Sequence, residues 1–263
     1  MKIQDWLLKK TKNEKISVLT CYDYSFAKIV ASTDVDAILV GDSVAMTMHG
    51  QSSTLSASTR MMATHVSAVS KGAPGKFLIG DMPFLSFRSG LKTTMHAVHA
   101  LMANGAHAVK LEGASGNLKL VKHIVESGVP VMGHLGLTPQ SIHAFGGYKV
   151  QAKSKEAQEK LLQDALDLQE AGCFSVVLEC VPMELSEEVT KKLRIPTIGI
   201  GAGVHCDGQV LVLQDLLGMN QDFSPKFVRK YLNGSELISS ALNQYHHDVV
   251  KGEFPSQKES YTA

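Results

Sequence analysis

The chain has 263 residues, 44% of them hydrophobic and 19% charged, with 26 basic against 25 acidic side chains and a formal net charge of +1. This composition supports a sizeable core and excludes a disordered chain, and the near-balance of charge excludes a large electrostatic footprint for nucleic acid or anionic lipid. A small molecule is the default ligand.

In chain order, residues 1–10 read as a helix suited to plug a barrel floor. Asp5 stands where a signal peptide needs an unbroken apolar stretch, and no apolar run approaches the length of a membrane span. Cys21, Cys173, Cys180 and Cys206 show neither CxxC nor zinc spacing, so reduced thiols in a cytoplasmic protein are expected. Short apolar runs then recur at 16–20, 37–40, 77–79, 106–111, 129–132, 174–178, 195–200 and 210–213. They are nearly continuous rather than alternating, the pattern of parallel strands covered on both faces. Segments with helical periodicity lie between them, among them 60–70, 92–103, 118–126, 154–170 and 184–192. Gly72, Gly105, Gly128 and Gly172 follow such segments, where a left-handed backbone closes a helix. Residues 225–251 suggest two further helices. Eight strand–helix units fill the length, which favours a (βα)8 TIM barrel over a doubly wound sheet. The expected architecture is one domain over residues 1–263, with an N-terminal helix and a C-terminal helical extension.

Polar residues gather where the runs end. Asp23 follows the first, Asp42 and Ser43 the second, and Asp81 the third. Lys110 and Glu112 close the fourth, His134 the fifth and Glu179 the sixth, while Asp215 follows the eighth. In a parallel barrel these ends share the rim that carries active sites. Alternation along a strand puts Lys110 and Glu112 on one face and Leu111 on the other. Such a pair is either a partly buried ion pair or a ligand-binding pair. Asp42, Asp81 and Glu112 come from successive strands. Each alone reads most simply as a helix cap. Together they would repel one another unless a cation lay among them, and all-oxygen donors suit Mg2+ or Mn2+ rather than zinc. Two readings stay open for Gly199, Gly201 and Gly203: a phosphate cradle, or a tight packed loop. His134 is open between a ligand or base and a hydrogen-bonded structural residue. The long glycine-bearing connection 136–152 has the character of a lid.

These residues stand in a series of ordered motifs. They include Thr20-Cys21-Tyr22-Asp23-Tyr24-Ser25-Phe26-Ala27, Val40-Gly41-Asp42-Ser43, Gly80-Asp81-Met82-Pro83-Phe84 and Val109-Lys110-Leu111-Glu112-Gly113. Gly133-His134-Leu135-Gly136-Leu137-Thr138-Pro139-Gln140-Ser141, Leu178-Glu179-Cys180-Val181-Pro182 and the glycine run at 198–203 continue the series. In this order they resemble the ketopantoate hydroxymethyltransferase family. The departures lie in loops: Ala45 and Ala152 stand where the family usually has glycine, and Ser56-Ala57-Ser58 replaces a Pro-Val-Thr pattern.

The resemblance implies transfer of a hydroxymethyl group from 5,10-methylenetetrahydrofolate to 3-methyl-2-oxobutanoate, giving 2-dehydropantoate through a Mg2+-stabilised enolate. It implies one Mg2+ per subunit, with Asp42, Asp81 and Glu112 as metal residues. Asp42, Ser43, Asp81 and Lys110 would hold the 2-oxo acid, and Glu179 would accept the proton. It also implies a homo-oligomer of decamer type. A carboxylate base works best in apolar surroundings, and Val176, Val177 and Leu178 precede Glu179. Three rival readings fit less of the pattern: a folate-free Mg2+ enzyme of the phosphoenolpyruvate mutase and isocitrate lyase type, a Schiff-base aldolase using Lys110, and a non-catalytic binding barrel.

Overall fold

The order of elements follows from short β-favouring runs separated by capped amphipathic segments. The computed structural model describes residues 1–221 and 225–262. It runs α1 (Ile3–Thr11), β1 (Ile16–Thr20), α2 (Tyr24–Ala31), β2 (Ala37–Val40), α3 (Val44–Thr47), α4 (Thr59–Gly72), β3 (Phe77–Asp81), α5 (Leu91–Ala103) and β4 (Ala108–Glu112). It continues α6 (Leu118–Glu126), β5 (Val131–Gly136), α7 (Ile142–Phe145), α8 (Lys155–Glu170), β6 (Ser175–Glu179), α9 (Met183–Lys192), β7 (Thr197–Ile200), β8 (Gly208–Leu211), α10 (Leu213–Leu216) and α11 (Gly234–Lys251). All eight strands pair in parallel and in sequence order, and β8 closes on β1. The fold is therefore the expected (βα)8 barrel.

Contacts divide the chain into two compact units, Met1–Val212 and Leu213–Ala263. The first holds the barrel. In the second, α11 is the one helix among the described residues of 225–251, so the second helix expected there does not form. The described residues 225–233 contain only a turn. A segment that short gains too few internal hydrogen bonds to offset nucleation.

The barrel interior is built by period-two alternation. Ile16 and Val18 of β1, Ala37 and Leu39 of β2, Phe77 and Ile79 of β3, Ala108 of β4, Met132 of β5, Val177 of β6, Ile198 of β7 and Val210 of β8 form one buried cluster. Trp6 of α1, the only tryptophan in the chain, joins that cluster fully buried. Its ring meets Phe77 and Phe174 edge-on at 5.7 and 5.2 Å between centroids, the favoured aromatic arrangement. The N-terminal helix thus plugs the floor, as its sequence suggests.

Three of the four helix-end glycines behave as expected: Gly105, Gly128 and Gly172 have φ of 108°, 88° and 101°. Gly72 does not, because it is the last residue of α4 itself. A Cβ there would lie 2.6 Å from both Ala27 Cβ and the Tyr24 carbonyl oxygen, so this glycine permits close approach of α2 and α4.

Candidate active site

One layer above the floor cluster, the same inward-facing parity changes from apolar to charged. On β3 the inward series Phe77, Ile79 continues to Asp81, and on β4 Ala108 continues to Lys110 and Glu112. Met132 of β5 is followed by His134, and Val177 of β6 by Glu179. Strand register aligns them, with Asp81 opposite Lys110 and Glu112 opposite His134. Asp42 and Ser43 come from the turn just past β2. All of these side chains line one cavity of about 110 Å3 at the strand ends, the size class of a small acid rather than of a large cofactor.

The charged groups are almost fully enclosed: Asp42, Lys110 and Glu112 are each 4% exposed, His134 3% and Asp81 1%. Lys110 Nζ lies 2.8 Å from Asp81 Oδ1 and 3.3 Å from His134 Nδ1. The other Asp81 oxygen accepts the Asp42 backbone N–H at 3.2 Å. Neither aspartate caps a helix. His134 Nε2 lies 3.1 Å from Glu179 Oε2, and its Nδ1 lies 3.5 Å from Glu112 Oε1. His134 therefore lines the same cavity as these carboxylates. Glu179 accordingly faces an imidazole as well as the apolar wall that its sequence neighbours suggest.

Two further residues emerge only from the structure. Gln140, on the turn that follows β5, donates from its side-chain amide to Asp42 Oδ2 at 2.8 Å and to the Met82 carbonyl at 2.9 Å. Its backbone N–H donates to Glu112 Oε2 at 3.0 Å. Gly136, at φ 90°, makes that turn possible, since a Cβ there would sit 2.2 Å from the Glu179 carbonyl oxygen. Tyr22, fully buried, shares a 2.7 Å hydrogen bond with Ser43 Oγ. Burial pushes its phenol up to about 12.

Burial raises the Asp42 carboxyl well above the ordinary range, and the Asp81 and Glu112 charges raise it further against the opposing pull of Lys110 and Gln140. Asp81 is raised too, by burial and Glu112, with Lys110 opposing. Burial alone would lower the Lys110 ammonium, but Asp81, Glu112 and Asp42 outweigh it and hold the group charged. Burial and Lys110 work against protonation of His134, yet Glu112 and Glu179 lift it to about 9.

Among the described residues no three His, Cys, Asp or Glu side chains form a ready-made metal cluster. Lys110 and Gln140 stand among the carboxylate oxygens. The donor set is nevertheless of the kind a hard dication takes. Asp81 Oδ1 and Glu112 Oε1 are buried with no hydrogen bond of good geometry, although Lys110 and His134 are close to them. Such oxygens carry a desolvation cost that a bound cation would relieve.

The remaining rim candidates have other roles. Asp23 caps α2, accepting the Phe26 N–H at 2.9 Å. Asp215 lies in α10, 3.3 Å from Asn220 Nδ2. Gly203 has φ 81° and packs where a Cβ would meet Met183 at 2.4 Å, a geometry that favours the tight packed loop. In the 136–152 connection, the Tyr148 hydroxyl lies 3.8 Å from Met46 Sδ. The Tyr148 phenol is raised by burial and by Glu179 and Asp42. Pro139 at the start of this connection lines the cavity.

Fold and site together define a parallel (βα)8 enzyme with a buried, mostly acidic strand-end pocket. The sequence profile of the family described as ketopantoate hydroxymethyltransferase matches residues 1–257. A 3-methyl-2-oxobutanoate hydroxymethyltransferase of Bdellovibrio bacteriovorus is 64% identical over 260 residues, covering 99% of each chain. One from Coxiella burnetii is 57% identical over 256 residues, covering 97% of this chain and 96% of that one. The chain belongs to the ketopantoate hydroxymethyltransferase family. Among solved structures, phosphonopyruvate hydrolase in complex with oxalate and Mg2+ superposes with a TM-score of 0.63 at 10% identity, covering 98% of this chain and 93% of that one. For 2,3-dimethylmalate lyase, a member of the PEP mutase/isocitrate lyase superfamily, the values are 0.61, 13%, 99% and 91%. At such identities the likeness is one of fold.

Proposed function

We propose that this chain moves a one-carbon unit from 5,10-methylenetetrahydrofolate onto C3 of 3-methyl-2-oxobutanoate, giving 2-dehydropantoate in pantothenate synthesis. The observation that carries this reading is the shared cavity of Asp42, Ser43, Asp81, Lys110, Glu112 and Glu179 in a chain of this family. Asp42 and Asp81 would hold one Mg2+ per subunit, with Glu112 in or beside the shell. When bound, the ion supplies Lewis acidity to the keto acid's oxygens.

The protein's own groups do the rest. Lys110, kept charged, pairs with the substrate carboxylate, and Ser43, oriented by Tyr22, donates a hydrogen bond to it. Glu179 accepts the C3 proton, with His134 Nε2 beside it. The positive charge of Lys110 stabilises the enolate where its charge develops. One water adds to the folate-borne methylene and both its bonds to nitrogen break, releasing tetrahydrofolate and formaldehyde. The enolate carbon attacks the formaldehyde carbon, whose oxygen takes up a proton to become the new hydroxyl. Gln140 keeps Asp42 and Glu112 in position throughout. The ion-paired ammonium of Lys110 is a poor nucleophile, which disfavours the Schiff-base alternative. We place the protein in the cytoplasm as a homo-oligomer, with decamer the expected size. No helix among the described residues is long and apolar enough to cross a membrane.

Hydroxymethyl transfer is measured with and without folate and Mg2+, alongside exchange of the C3 proton with solvent deuterium. Exchange should need Mg2+ but not folate, whereas transfer should need both. Transfer that persists without folate would favour the folate-free class of barrel enzyme. Active protein that shows no exchange would remove the stepwise route.

A further inference from the structure

Outside the cavity, two imidazoles meet. His49 lies just past α3, on the turn whose inner side carries Ser43, and His65 is in the middle of α4. Their Nε2 atoms are 2.9 Å apart, and the rings stand nearly perpendicular at 82°. His65 Nδ1 is 2.6 Å from the Tyr22 carbonyl oxygen. A carbonyl only accepts, so Nδ1 carries the proton and Nε2 of the neutral ring presents its lone pair toward His49. A ring nitrogen backed by a carbonyl in this way is the usual support of a metal-ligating histidine, fixing both tautomer and orientation. His49 is exposed and His65 half-buried, so an ion reaches the pair from solvent.

The spacing selects the geometry. Two nitrogens each about 2.05 Å from an ion are about 2.9 Å apart when they are cis in a square or octahedron, and about 3.3 Å apart in a tetrahedron. We propose that His49 and His65 form a binding site for one divalent transition ion of tetragonal preference, Cu2+ or Ni2+, with water in the remaining positions. On binding, the Nε2–H of His49 that bridges to His65 is given up, the ring carrying its proton on Nδ1 instead. The ion replaces a single N–H···N bond and ties the Ser43-bearing turn to α4.

The test titrates the full chain with Cu2+ in saturating Mg2+, which occupies oxygen-donor sites, and follows it by electron paramagnetic resonance. One tetragonal Cu2+ with splitting from two nitrogens is expected. His49→Ala and His65→Ala should each weaken this binding at least tenfold. His246→Ala with His247→Ala removes the other adjacent pair and should leave the signal in place. Cu2+ should also raise the melting temperature of the parent chain and not that of His49→Ala. If single-histidine variants bind Cu2+ as tightly as the parent, or if the signal disappears only with the tail variant, the site does not exist. A spectrum with oxygen donors alone overturns it equally.

Discussion

Lys110→Met tests whether one ammonium holds the acidic cluster together. The residue is 4% exposed and 2.8 Å from Asp81 Oδ1, and its charge also opposes those of Asp42 and Glu112. Methionine keeps most of the stem's volume, so the cavity contribution is small. The loss is then that of an unpaired buried charge, about 3–5 kcal/mol. At roughly 2–4 °C per kcal/mol for a chain of this size, the melting temperature should fall by about 6–20 °C. Trp6, the sole tryptophan and buried in the floor, reports unfolding by fluorescence at fixed protein concentration. The pH dependence follows from the raised carboxyls of Asp42 and Asp81. Between their unfolded value of 3.8 and their higher folded values, the native state binds more protons than the unfolded one. Stability therefore falls as pH rises through that window and recovers as pH drops. Losing Lys110 lifts the folded values further, so the deficit should be largest at neutral pH and shrink on acidification. Mg2+ at about 100 times its dissociation constant should add about 2.7 kcal/mol to whichever form binds it. A loss below about 1 kcal/mol, or one that does not change with pH, refutes Lys110 as the counter-ion.

Glu179→Gln should slow C3 proton exchange at least a hundredfold, a general-base contribution of ordinary size, while titration shows substrate affinity within about threefold of the parent. If affinity collapses instead, Glu179 holds substrate rather than its proton. Gln140→Leu strips donors from Asp42 Oδ2 and the Met82 carbonyl, and unsatisfied buried acceptors cost about 1–3 kcal/mol each. Urea unfolding should show a loss of about 2–6 kcal/mol, and Mg2+ affinity should weaken as well. A variant as stable as the parent would show that these bonds contribute nothing. Ala152 occupies a left-handed backbone at φ 52°, where the family usually has glycine. Relief of about 1–2 kcal/mol of strain exceeds the roughly 0.5–1 kcal/mol entropic cost of glycine. Ala152→Gly should therefore raise the melting temperature slightly, and a drop would mean the strain is absent.

The barrel was legible because burial on both faces writes each strand as an apolar run. β1 and β2 match their runs end to end. The strands that carry the site do not. The runs at 106–111 and 129–132 correspond to Ala108–Glu112 and Val131–Gly136. These runs end before Glu112 and His134, which are still paired in the sheet. They also begin early, because Ala106 is apolar yet lies in the connection. Asp42, Asp81, Lys110, Glu112 and Glu179 were visible as charges at strand ends. Gln140 left no such signal, since a neutral amide on a loop gains its role only when the turn at Gly136 carries it back over the mouth.

His134 is the instructive case, because strand parity alone places it. Met132 packs on the floor, and two residues on is the same face, so the next inward position of β5 has to enter the layer that holds Lys110 and Glu112. Judged as a lone histidine it looks structural. Judged by the layer its strand delivers it to, it touches Lys110, Glu112 and Glu179 together. The floor and the site are then one construction: the alternation that seals the barrel beneath Trp6 also sets how far apart these charges can stand. Cavity-forming substitutions in the floor, at Phe77 or Met132, should therefore disturb the site one layer above through the shared strand, with no contact to substrate.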